Sequence, residues 1–104
     1  MRNIYNKLVR DNIPLIIEAS GAKCVIETLS HEKYIEMLDA KLDEELAEYH
    51  KDKNIEELAD LLEVIYAAAV ARGYSVDELE ATRAKKAKER GVFNKKIILV
   101  ETIE

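Results

Sequence analysis

From Ser30 onward the apolar positions recur at helical spacing: Ile35, Leu38, Leu42 and Tyr49, with Leu46 widening the stripe. Ser30 is a capping residue type, so the pattern predicts a first long helix running to roughly Tyr49. The polar residues 50–54 then break it. A second long helix is predicted over Ile55–Ala71, where Leu58, Leu61, Leu62, Val64 and Ile65 cover more than one stripe. A helix apolar over that much of its surface is either central in its domain or shared with another subunit. Gly73 ends it, Ser75 and Glu78 form a capping-box signature, and a third long helix is predicted from Val76 to about Arg90, stopped by Gly91.

The flanking segments are patterned differently. Asp11 or Asn12 suits the cap of a short helix that tolerates Pro14 in its first turn and ends at Gly21. Residues 23–29 include Val25, Ile26 and Thr28 and predict a short strand. Ile97, Ile98, Leu99 and Val100 predict a terminal strand, paired with residues 23–28. The expected architecture is one mainly α domain with a small peripheral β element.

Composition narrows the partners. A chain of 104 residues with a formal charge of -5 has no dominant basic patch, which argues against a nucleic-acid polymer or an anionic membrane as partner. A nucleotide arriving with a divalent cation remains compatible. The apolar run in residues 58–71 is short for a membrane span and carries Asp60 and Glu63. The opening residues are polar and charged, unlike a secretory leader. Cys24 is the single cysteine, so no intrachain disulfide forms, and a cytoplasmic location is expected.

The candidate chemistry lies in two acid doublets, Glu45-Leu-Ala-Glu48 and Glu57-Leu-Ala-Asp60. Acids three residues apart share a helical face, about 4.5 Å apart along the axis. The doublets flank the same short connection, so antiparallel packing of the two helices brings all four together. Left uncompensated, they repel and raise one another's pKa. Magnesium or manganese supplies the missing charge, and carboxylates plus water are suitable hard ligands. The competing reading is ordinary solvated helix surface; against it, Asp60 sits among Ala59, Leu61, Leu62 and Val64, and a buried aspartate needs a partner or an ion. Glu44, Glu56 and Glu63 are possible substitutes or outer-sphere groups.

Taken together, these motifs resemble the MazG-type all-α nucleoside triphosphate pyrophosphohydrolases, especially the small phosphoribosyl-ATP pyrophosphohydrolase-like proteins. The resemblance rests on Lys7-Leu-Val-Arg-Asp-Asn-Ile-Pro14, Lys41-Leu-Asp-Glu-Glu-Leu-Ala-Glu48 and Glu56-Glu-Leu-Ala-Asp-Leu-Leu-Glu-Val-Ile65. The stretch from Arg83 to Arg90 followed by Gly91-Val-Phe93 is similar to the basic ending of the subgroup. The resemblance implies a MazG-like helical bundle that is an obligate or near-obligate oligomer, a homodimer or homotetramer. It implies that Glu45, Glu48, Glu57 and Asp60 bind Mg2+ and orient a triphosphate cleaved between its α and β phosphates. Asn12 stands where the group more often has lysine, and Val92 where it more often has a second glycine. Both departures bear on substrate preference.

Metal-assisted attack of water needs a carboxylate to take the proton, a role for Glu48 or Glu45. Lys7 and Arg10, or Lys85, Lys86 and Arg90, suit phosphate oxygens, although each is also an ordinary surface residue type. Asn94 is a candidate base or phosphate contact, or simply a capping residue. The tyrosines and Phe93 fit core or subunit interface better than base stacking, and His31 and His50 are too sparse for a histidine metal cluster. Two further functions compete: phosphoribosyl-ATP hydrolysis in histidine synthesis, and a non-catalytic helical oligomer that binds a nucleotide or a protein.

Overall fold

Helix capping sets the outline of the molecule. In the computed structural model, which describes residues 1–104, the helices are α1 (Ile13–Ala19), α2 (His31–Asp52), α3 (Ile55–Ala71) and α4 (Val76–Arg90). The Ser30 hydroxyl accepts the Lys33 backbone N–H, Asn54 Oδ1 accepts that of Glu57, and Ser75 and Glu78 form a reciprocal box. Each cap satisfies an amide that the first helical turn leaves free. Asn12 occupies the N-cap of α1 without a side-chain cap bond, and Pro14 lies in the first turn.

α2 runs through His50 and Lys51, past the expected break near Tyr49, and ends where Lys53 turns left-handed at φ 52°. Polar side chains do not end a helix by themselves, and two basic groups in its last turn suit the negative end of the dipole. α2 and α3 form an antiparallel hairpin. Arg72, just past α3, reaches Asp39 in the first half of α2, while Asp52 at the end of α2 lies beside Glu57 at the start of α3. Leu38 and Ala71 are the buried apolar residues of this hairpin. α4 packs against α3, whereas α1 approaches none of the other helices closely.

The expected peripheral β element is overturned: the chain is all-α, with four helices and no strand. Residues 22–29 and 92–104 make no backbone–backbone hydrogen bond. Val25, Ile26 and Ile97 to Val100 are all largely exposed. Their β-branched side chains fit a pleated, half-buried surface, but that preference builds nothing unless a partner strand lies alongside. Here the first segment leads from α1 into α2, and the second extends beyond α4. The molecule measures 64 × 31 × 22 Å. No helix is long and apolar enough to cross a membrane.

Candidate metal centre

The hairpin connection decides which acids meet. Carboxylate oxygens of Glu45, Glu57 and Asp60 lie within 4.8 Å of one another, and so do those of Glu48, Asp52 and Glu57. The four acids read from the sequence, together with Asp52, therefore form two overlapping triads that share Glu57, rather than one ring. Glu48 joins Asp52 instead of Glu45 and Asp60. The sequence pattern does not single out Asp52, because the polar residues 50–54 resemble a helix break. Asp52 nevertheless stands one turn beyond Glu48, on the same helical face.

The triads differ in surroundings. Glu45, Glu57 and Asp60 are all half-buried, while Glu48 and Asp52 are exposed. Glu57 shows the strain of the arrangement. Desolvation, followed by the charges of Asp52, Asp60, Glu48 and Glu45, holds its carboxyl above the usual 4.5. Negative groups from both helices therefore act on one side chain, as the doublet spacing predicted.

Positive groups flank the first triad. Arg10 Nη2 donates to Asp60 Oδ1 at 2.7 Å and its other terminal nitrogen lies 3.8 Å from Glu63. Lys41 Nζ is 3.5 Å from Glu45 and 3.4 Å from Glu44, and Lys7 Nζ is 3.1 Å from Glu44. Burial works to raise the Glu44 carboxyl, but the Lys7 hydrogen bond and the Lys41 charge outweigh it and hold the group below 4.5. Residues 7–10, ahead of α1, thus run beside both helices of the hairpin, touching α2 through Lys7 and α3 through Arg10. Lys41 precedes Glu44 and Glu45 by three and four residues, so its pairing with both follows from helical spacing.

The donor set suits a hard cation. Ligand oxygens on one magnesium ion at its usual bond length lie no more than about 4.2 Å apart. The oxygens of each triad, spread over up to 4.8 Å, draw closer together to share one such ion, adjacent ligands in an octahedron lying about 3.0 Å apart. The competing state is the internal ion pairing with Arg10 and Lys41, which neutralises part of the same charge.

The remaining basic candidates are elsewhere. Lys85 Nζ is 3.9 Å from Glu89 on its own helix. Lys86 and Arg90 line a groove with Arg83, Gly91, Val92 and Phe93, which shares no residue with the acidic triads. Arg83 is already held by Glu80 on α4 through two hydrogen bonds. Asn94 is exposed in the turn after Phe93. Thus Lys7 and Arg10 adjoin the acids, whereas Lys85, Lys86, Arg90 and Asn94 belong to the far part of α4 and the tail.

No protein-family model matches this chain, and no solved structure matches it. A stretch of 42 residues, 40% of the chain, is 62% identical to an uncharacterized protein of Mycolicibacterium smegmatis. The matched stretch spans 43% of that relative's length.

Proposed function

We propose that the chain is a divalent-cation-dependent nucleotide pyrophosphohydrolase. It hydrolyses a nucleoside triphosphate between the α and β phosphates to the monophosphate and pyrophosphate. One observation carries the reading: two carboxylate triads from neighbouring helices share Glu57, whose proton affinity rises through desolvation and through the negative charge gathered around it. Such a site gains most from a cation. The reaction class itself comes from the resemblance of the two acid doublets and the Lys7-to-Pro14 opening to the MazG-type enzymes.

Glu45, Glu57 and Asp60 hold the ion, Mg2+ with Mn2+ as substitute. When bound, the ion supplies charge neutralisation on the phosphate oxygens and a more acidic water. Glu48, about one turn beyond Glu45 on α2, and Asp52, about two turns beyond it, are more exposed and take the proton of the attacking water. Lys7 and Arg10 reach the phosphates by exchanging their carboxylate partners for phosphate oxygens, a trade between two charge-assisted bonds of similar kind. A cytoplasmic setting, with a reduced Cys24, suits this chemistry.

The test is a panel of ordinary, damaged and phosphoribosyl nucleotides with and without Mg2+, the products identified by chromatography. Monophosphate and pyrophosphate appear only with the metal. Asp60→Ala and Glu57→Ala each lower kcat/KM by at least about 100-fold, the scale on which one group stabilising transition-state charge acts. Absence of turnover across the panel removes the hydrolase reading, and undiminished turnover in both variants removes these residues from it.

A further inference from the structure

Residues 1–29 are joined to the hairpin by two charged side chains. No backbone–backbone hydrogen bond links them to α2 or α3. α1 approaches neither helix closely, and Leu8, Ile13 and Pro14 are no more than half-buried. Charge makes the connection: Lys7 Nζ lies 3.1 Å from Glu44 on α2, and Arg10 Nη2 lies 2.7 Å from Asp60 on α3. The second Arg10 contact, to Glu63 at 3.8 Å, is too long for a hydrogen bond. The Arg10 and Asp60 side chains are 55% and 43% exposed, and an ion pair that open to water is worth little. The segment around Arg10 is therefore a strap, fastened by weak charged contacts.

One of its two anchors belongs to the metal centre. Asp60 forms a triad with Glu45 and Glu57, and its Oδ1 accepts from a guanidinium that is always charged. A magnesium ion on that oxygen, at its usual bond length of about 2.1 Å, comes within about 5 Å of the Arg10 nitrogen. Even in bulk water, a divalent ion and a unit positive charge at that distance repel by more than one exposed ion pair gains. Lys41, the partner of Glu45, lies one turn back on the same helix, so it swings aside without moving any backbone. Arg10 is not on the hairpin, and when it leaves Asp60 its segment goes with it.

We propose that Arg10 is an internal counter-ion that a divalent cation displaces from Asp60, so that loading of the triad releases the strap of residues 1–12 from α3. Until then Arg10 closes the Asp60 side of the triad and lowers its affinity for the cation. Once released, the guanidinium is free for phosphate oxygens, which puts the events in order: cation first, phosphate second. The strap's release rests on the metal centre proposed above, not on hydrolysis.

Binding of Mn2+ to the full chain, without nucleotide, is followed by the electron spin resonance of the free ion. Arg10→Gln is expected to bind Mn2+ about fivefold more tightly than the wild type, the upper worth of an exposed ion pair. Equal or weaker affinity in Arg10→Gln overturns the proposal and leaves the metal centre standing. No Mn2+ bound by the wild type overturns both. A second measurement reads the strap itself. In a Cys24→Ser background, nitroxides on Leu15→Cys in α1 and Val70→Cys in α3, both exposed positions, report their separation by pulsed spin resonance. Millimolar Mg2+ is expected to broaden the distance distribution to that of the Arg10→Gln chain, which is broad from the outset. A distribution that Mg2+ leaves narrow overturns the release.

Discussion

The α2–α3 hairpin and the C-terminal tail are both rich in large apolar residues, yet only one of them buries any. In the hairpin, apolar positions recur at 3 and 4 residue spacings and the chain turns straight back at Lys53, so Leu38 finds neighbours and falls to 4% exposure. In the tail, Ile97, Ile98, Leu99 and Val100 remain at least 77% exposed. Four consecutive apolar residues on an extended segment point to both sides, and each side needs its own cover. Hydrophobic content alone therefore does not make a core. A matching period and a return of the chain do.

That contrast can be broken most forcefully at Leu38. Leu38→Ala should cost about 2–4 kcal/mol of stability, the usual range for a buried leucine. In so lightly buried a hairpin, chemical denaturation should then show a sharply reduced midpoint. An unchanged midpoint would mean that the hairpin is held together elsewhere.

A smaller effect is expected at the acidic junction. Glu57 has a folded-state pKa above 4.5, so the folded chain binds a proton that the unfolded chain releases. Its stabilising contribution is full below 4.5 and is lost as the pH rises through the raised value. Glu44 is opposite: its pKa lies below 4.5, so its contribution is present above 4.5 and lost as the pH falls through the lowered value. Thermal melts of metal-free protein should therefore show Glu57→Gln raising the melting temperature near neutral pH, with the gain shrinking on acidification. Excess Mg2+ should reverse the order, stabilising the wild type more than the variant. Equal responses of both proteins to Mg2+ would detach Glu57 from the metal centre.

The least change should follow removal of residues 95–104. They make no backbone–backbone hydrogen bond, so their loss should move the denaturation midpoint by less than about 0.5 kcal/mol equivalent. A large loss of stability would show that the tail, like the hairpin, is covered in solution.

Much of the helical frame was readable because local signals agreed. Ser30 and Ser75 each mark a helix start where the apolar period begins, and α3 and α4 occupy the expected residues, α3 being capped in addition by Asn54 within the polar break. The end of α2 lies beyond the expected break because His50 and Lys51 are polar but remain helix-compatible. The candidate site was legible in part. Helical spacing put Glu45 and Glu48 on one face and Glu57 and Asp60 on another. It could not say that Glu48 would join Asp52, or that Arg10, fifty residues before Asp60 in the chain, would hold that carboxylate.

The sequence by itself determined the helices, their caps and the clustering of acids near one turn, since these follow from backbone hydrogen bonding and a 3.6-residue period. Tertiary structure decided the rest. It divided the acids into two triads around Glu57, placed Lys7, Arg10 and Lys41 against them, and left residues 22–29 and 92–104 without strand partners. Those outcomes depend on which distant groups the packed hairpin and the connecting segments bring within a few ångströms. Charge and strand pairing act over that distance, whatever the separation in sequence.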